Sequence, residues 1–126
     1  MAKRLSRNTF IMDKPPTIRS YAAVVGKKEG NGPLGRHFDQ VYQDPYFGQD
    51  TWEKAESELL RLTVMKALEK GKLRCEDINY MFAGDLINQC TSTSYALREL
   101  EIPLLCVYGA CSTMSESLLM ASLMTD

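Results

Sequence analysis

The sequence has no excess of charge of one sign and no long apolar run. Its 15 Lys and Arg residues nearly balance 16 Asp and Glu residues, which gives a formal net charge of −1 over 126 residues. Nucleic-acid binding favours a basic excess, and a membrane-spanning helix needs about 18 or more consecutive apolar residues. We therefore expect a soluble globular chain with no nucleic-acid partner, and a peripheral role at a membrane stays open.

The first residues also lack the apolar core of a signal peptide. Lys3, Arg4 and Arg7 are basic, but the apolar run at residues 10–12 is interrupted at once by Asp13. A secretory signal has an uninterrupted apolar stretch of about 7–15 residues after its basic start. We expect the protein to stay on the cytoplasmic side of the membrane.

Histidine is nearly absent, and the cysteines lack the spacing of metal ligands. His37 lies far in sequence from Cys75, Cys90, Cys106 and Cys111, and no two cysteines form a C-x-x-C pair. Zinc sites usually contain such pairs. We predict reduced thiols, no metal site and no cofactor.

Local patterns divide the chain at about residue 48. Residues 1–48 are rich in glycine and proline, and we predict one strand there, at residues 18–25. Asp50 and Glu53 then have the spacing of a capping box, and the helix that follows is predicted to end at Gly71 in a left-handed cap. The residues predicted to form its buried face are Trp52, Ala55, Leu59 and Leu62.

Strand and helix patterns alternate through the rest of the chain. We predict buried strands at residues 78–83 and 104–107 and helices at residues 91–100 and 112–124. Thr91 or Ser92 is the expected cap of the first of these helices, with Tyr95, Leu97 and Leu100 as its apolar contacts. This order is typical of an α/β fold with a mostly parallel sheet and packed helices.

Cys111 has the position of a nucleophile. It follows an apolar strand and the small residues Gly109 and Ala110, and it precedes a helix. Backbone N–H groups and the positive end of the helix dipole favour a thiolate at such a junction, and they also favour a bound anion. The alternative, an inert packing cysteine near a helix start, stays open.

The last predicted helix is apolar around most of its circumference, which is typical of a helix buried on several sides. Three strands cannot cover it. We therefore expect residues 1–126 to be a single partial domain, with a loop-rich segment at 1–48 and an α/β core at 49–126. The rest of a larger protein, or another chain, would cover the helix.

Several motifs together carry a resemblance to a known family. They are the segments at residues 32–35 (GPLG), 38–39 (FD), 57–59 (SEL), 83–89 (AGDLINQ) and 106–113 (CVYGACST). The last of these resembles the nucleophile region of the thiolase-like superfamily. As a set, from about residue 26 to 124, they resemble the stage V sporulation AD proteins, a thiolase-like family of spore-forming bacteria.

This resemblance implies a fold, a ligand and partners. The fold would be thiolase-like, with this chain forming the N-terminal portion of the first βαβαβ half. The function would be binding of dipicolinic acid during its uptake into the spore. The partners would be a second copy in a homodimer and spore inner-membrane proteins of the same uptake system, which places the protein at that membrane.

The resemblance also implies site residues. Cys111, Ser112, Asp85 and Asn88 would bind the ligand, although Asp85 and Asn88 are also ordinary residues for ending a strand and capping a helix. Cys111 is equivalent to the family's catalytic nucleophile, so an acyltransferase that uses Cys111 is the alternative function. His37 does not match the catalytic histidine, and without a general base we expect no catalysis by this chain as it stands. A fragment without independent activity, which self-associates through Met114, Leu118 and Met124, is the third possibility.

Overall fold

The computed structural model of the chain describes residues 2–86 and 89–125. The strands are β1 (Lys3–Ser6), β2 (Thr9–Ile11), β3 (Val24–Gly26), β4 (Gln40–Tyr42), β5 (Met81–Ala83) and β6 (Leu104–Cys106). The α-helices are α1 (Lys27–Gly30), α2 (Trp52–Gly71), α3 (Thr91–Leu97) and α4 (Thr113–Met124). Short 3-10 turns lie at Gly35–His37, Cys75–Asp77, Arg98–Leu100 and Ala110–Ser112. The predicted α/β class is confirmed.

The strands pair as three separate two-stranded sheets within the described residues. β3 pairs with β4 and β5 pairs with β6, both in parallel, whereas β1 and β2 form an antiparallel hairpin. Parallel pairing is therefore confirmed, but β3 and β5 do not join in one sheet. β1, β2 and β4 were not predicted, because strands of three or four residues are too short to show an alternation of buried and exposed side chains.

The helix predicted from residue 50 onward is confirmed as α2, but both of its caps differ from the prediction. Thr51 is the N-cap, and its Oγ1 accepts a hydrogen bond from the backbone N–H of Lys54 at 3.3 Å. The Asp50 carboxylate instead lies 2.8 Å from the Lys54 ammonium. At the other end Lys72, at φ 52°, has the left-handed conformation that we predicted for Gly71.

The core is small and lies where α2 packs against α3 and β3. The buried apolar residues are Val24, Ala55, Leu68, Ala96, Leu97 and Ile102. Two residues predicted to face this core do not: Trp52 is 55% exposed and stacks on Tyr46, with ring centroids 4.3 Å apart, and Tyr95 is 63% exposed. The guanidinium of Arg98 lies over the Tyr95 ring, 5.5 Å from its centroid.

The loop-rich segment is tied to α2 through the Asp39 carboxylate. Asp39 accepts hydrogen bonds from the Ala23 backbone N–H at 2.8 Å and from the Lys70 ammonium at 2.6 Å. The Lys70 hydrogen bond, and then the one from Ala23, lower the pKa of Asp39. Ser20 adds a hydrogen bond to the Ala67 carbonyl, so two side chains connect this segment to the last turns of α2.

The strands β5 and β6 are less buried than predicted. Tyr80 beside β5 is 51% exposed and Leu105 of β6 is 42% exposed. The apolar residues of α4 are also exposed, and they include Met114, Leu118, Leu119, Met120 and Met124. Within the described part of the chain, none of the helices combines the length and hydropathy needed to cross a bilayer.

Gly84 sets the distance between β5 and the start of α4. A Cβ atom at Gly84 would overlap the carbonyl oxygen of Val107 and would lie 2.8 Å from the Cγ2 atom of Thr113. The chain after β6 and the first residue of α4 therefore pass directly over this glycine. Backbone cannot move aside as a flexible side chain can, so the contact requires glycine.

We expect Gly84→Ala to lower the free energy of unfolding by about 1–3 kcal/mol, as overpacking does in well-packed regions. Gly26→Ala is the matched control, since a Cβ there meets only the Phe47 ring at 4.0 Å. Urea denaturation of both variants measures the difference. Equal stability of the two variants would show that α4 does not depend on this close approach.

Candidate functional site

Cys111 lies at the strand-to-helix junction, as predicted. β6 ends at Cys106, the 3-10 turn Ala110–Ser112 follows, and α4 begins at Thr113. Ala110 has φ 50°, in the left-handed region that non-glycine residues rarely adopt, and this conformation makes the turn sharp. The Cys111 side chain is exposed, so its thiol is accessible at the start of the helix.

A cleft of about 390 Å³ opens beside Cys111. Its walls include Ala83, Gly84, Leu86, Cys111, Met114 and Ser117, and most of them are apolar. β5 ends at this cleft with Ala83, and Cys106, the last residue of β6, pairs with Ala83 at the same edge of the sheet. Ligand sites of α/β proteins commonly lie at that edge.

The Ser112 hydroxyl is already engaged inside the turn. Its Oγ lies 2.6 Å from the Gly109 carbonyl oxygen and 2.5 Å from Oε1 of Glu116, and its single proton serves one of them at a time. The backbone N–H of Ser112 donates to the Gly109 carbonyl at 2.9 Å. Neither polar group of Ser112 is therefore free for an anion in this conformation.

The Glu116 carboxylate also belongs to the site, although it was not among the predicted site residues. It sits in the first turn of α4, where a negative charge is favoured by the helix dipole. A Cβ atom at Gly109 would overlap the Glu116 carboxylate, so the glycine makes room for it. Glu116 follows Thr113 by three positions, and this spacing of a hydroxyl residue and an acidic residue at a helix start is the sequence signal for it.

Asp85 is buried and caps α3. Its Oδ1 accepts a hydrogen bond from the Cys90 backbone N–H at 3.0 Å, and its Oδ2 accepts from the backbone N–H and the hydroxyl of Thr93 at 2.9 and 2.8 Å. The predicted cap at Thr91 or Ser92 is wrong, because α3 begins at Thr91 after Cys90 and takes its cap from Asp85. Asn88, the fourth predicted site residue, lies outside the described residues.

His37 and a second cleft lie apart from Cys111. His37 is exposed at the end of the 3-10 turn Gly35–His37, and its Nε2 accepts a hydrogen bond from the Arg36 guanidinium at 3.2 Å. The larger cleft, about 600 Å³, runs between α2 and α3, and neither Cys111, Ser112 nor Asp85 lines it. Among residues 2–86 and 89–125, no three His, Cys, Asp or Glu side chains are grouped so as to hold a metal ion.

We expect Asp85→Ala to lower the free energy of unfolding by about 2–3 kcal/mol, because three donors at the start of α3 lose a charged acceptor. Asp50→Ala is the control, since the Asp50 carboxylate is exposed and its ion pair with Lys54 lies at the surface, and we expect little change. Urea denaturation measures both. An Asp85→Ala variant as stable as Asp50→Ala would exclude the capping role.

Two comparisons with known proteins identify the family. The sequence model of stage V sporulation protein AD matches residues 6–126. The stage V sporulation protein AD of Bacillus subtilis (strain 168) is 40% identical over 124 residues, which are 98% of this chain and 37% of that protein. This chain therefore spans about 37% of the length of that relative. The resemblance found from the motifs is confirmed, and the chain belongs to the stage V sporulation protein AD family.

Proposed function

We propose that this chain contributes to a dipicolinate-binding pocket in a thiolase-like fold, and that the pocket is the cleft beside Cys111. The observation that carries the proposal is this cleft, which is mostly apolar and lies where β5 and β6 end at the start of α4. Membership of a sporulation family makes a ligand of the spore the natural candidate.

The chemistry of the cleft suits one end of the ligand. Dipicolinate is a flat aromatic ring with two carboxylates, and apolar walls such as Leu86 and Met114 would hold the ring. The positive end of the α4 dipole, at the turn that carries Cys111, would attract one carboxylate. Ser112 would bind it only after its hydroxyl turns away from Glu116.

The carboxylates near the cleft set a further requirement. Glu116 lies beside the Cys111 turn, and the buried Asp85 lies just after the end of β5. Each of these carboxylates would repel a dianion. A cation, either a metal ion bound with the ligand or a basic side chain of a partner, would offset this repulsion. We expect binding to depend on such a cation.

The proposed partners follow from the exposed face of α4. Met114, Leu118 and Met124 are each at least half exposed, and an apolar surface of this kind favours association. We propose that the protein forms a homodimer and acts with inner-membrane proteins of the spore uptake system. It would work at the cytoplasmic side of that membrane, either soluble or peripherally attached.

Calorimetric titration of dipicolinate into this chain and into the full-length protein tests the proposal. We expect the full-length protein to bind, and Cys111→Ala to weaken binding by at least about threefold without loss of the fold, because the side chain lines the cleft. Cys75→Ala is the matched control, because Cys75 lies in a 3-10 turn and does not line the cleft.

Absence of binding by the full-length protein, in the presence of divalent cations, would exclude dipicolinate as the ligand. Equal affinities of Cys111→Ala and Cys75→Ala would place the binding site elsewhere. Unfolding of Cys111→Ala, measured by circular dichroism, would instead show that Cys111 is a packing residue.

The turn geometry also favours a second candidate function, acyl transfer by Cys111. Non-glycine residues with positive φ, such as Ala110, occur preferentially at functional sites, and here the residue directly precedes an exposed thiol. In this case Cys111 would form a thioester with an acyl donor, and a histidine elsewhere in the full-length protein would act as its base.

Alkylation rates separate the two functions. Cys106 is also exposed and provides an internal reference in the same molecule. For a binding protein we expect iodoacetamide at neutral pH to modify Cys111 no faster than Cys106, as measured by peptide mass spectrometry over time. Modification of Cys111 at least about tenfold faster would indicate an activated thiolate and favour acyl transfer.

A further inference from the structure

Two thiols that the proposed function does not use, those of Cys90 and Cys106, lie where α3 begins and β6 ends. The Cys90 Sγ donates to the carbonyl oxygen of Val107 at 3.4 Å, and Val107 directly follows Cys106. The Ser94 hydroxyl lies 3.7 Å from the Cys106 Sγ and 2.7 Å from the Cys90 carbonyl oxygen. The first turn of α3 therefore lies directly against the end of β6.

The two cysteines differ in exposure. Cys106 is exposed, whereas Cys90 is half-buried. Both thiols are free. A small reagent can therefore reach the Cys106 thiol more readily than the Cys90 thiol.

We propose that Cys90 and Cys106 are an oxidisable dithiol, which small disulfides convert into a Cys90–Cys106 disulfide bond. In the first step the Cys106 thiolate attacks one sulfur of the small disulfide, the S–S bond breaks, and one small thiolate leaves. In the second step the Cys90 thiolate attacks the Cys106 sulfur, the mixed disulfide breaks, and a second small thiolate leaves. The cysteine pair is oxidised by two electrons, the small disulfide is reduced by two, and the two cysteine protons pass to solvent.

The surroundings of Cys90 determine which step is slow. Burial raises the pKa of the Cys90 thiol, and the Cys106 thiol and the Asp85 carboxylate raise it further. Val107 and Ser94 place the two thiols beside each other, because the Cys90 Sγ contacts the carbonyl of the residue after Cys106 and the Ser94 hydroxyl lies near both cysteines. Because only the thiolate attacks, closure by Cys90 should be slower than the reaction of the reagent with Cys106 near neutral pH.

The probe is dithiobis(nitrobenzoate), added to the full-length protein, which is then digested without reduction and mapped by mass spectrometry. We expect a Cys90–Cys106 linked peptide pair in the parent protein and in the control variants Cys75→Ser and Cys111→Ser. In Cys90→Ser, Cys106 should keep one nitrobenzoate group, because no neighbouring thiol can displace it. In Cys106→Ser the linked pair should be absent.

Release of the coloured thionitrobenzoate thiolate over time supplies a second readout. The parent should show a second phase that Cys90→Ser lacks, and its rate should rise by about tenfold per pH unit below the Cys90 pKa. A closing rate independent of pH would overturn the assignment of Cys90 as the attacking thiol.

Two peptide maps would overturn the proposal itself. One has stable nitrobenzoate groups on both Cys90 and Cys106 of the parent protein, and the other has Cys106 linked to Cys111. The map of the parent protein decides the question even if Cys90→Ser fails to fold, which circular dichroism would reveal.

Discussion

The buried carboxylate of Asp85 is the interaction on which the site region depends. It stands two residues after β5 and accepts hydrogen bonds from Cys90 and Thr93 at the start of α3. Hydrogen bonds to an ionised acceptor are stronger than those between neutral groups, because the carboxylate carries a full negative charge. Through them the end of one parallel strand fixes the start of the helix that leads into the next strand.

The position of Cys111 follows from this connection. α3 leads into β6, β6 pairs in register with β5, and the chain then passes over Gly84 into the sharp turn at Ala110. Gly84 is required because the Val107 backbone passes directly over it, whereas Gly109 leaves room for the side chains of Ser112 and Glu116. The same packing places Cys90 against the end of β6. The proposed dithiol and the proposed pocket therefore both depend on the Asp85 cap and on the pairing of β5 with β6.

Charge limits what the cleft beside Cys111 can bind by itself. The helix dipole of α4 attracts an anion, but the negative charge of the Glu116 carboxylate already offsets part of this attraction. The same carboxylate also binds the Ser112 hydroxyl. A single full negative charge exceeds the partial positive charge of about half a unit at a helix N-terminus. A dianion would therefore need a compensating cation, which makes the cation as important to the proposal as the cleft.

The sequence by itself determined the family, the α/β class, the three longer helices and the position of Cys111 between β6 and α4. These follow from motifs, from helical periodicity and from the apolar run before Gly109, all of which are local. Only the tertiary structure showed that Asp85 caps α3, that Glu116 engages Ser112, and that the Cys90 thiol packs against the end of β6. The spacing of these residues in the sequence carries no pattern. Whether a carboxylate or a thiol faces solvent or a neighbour depends on which elements pack together, and the sequence pattern does not show that.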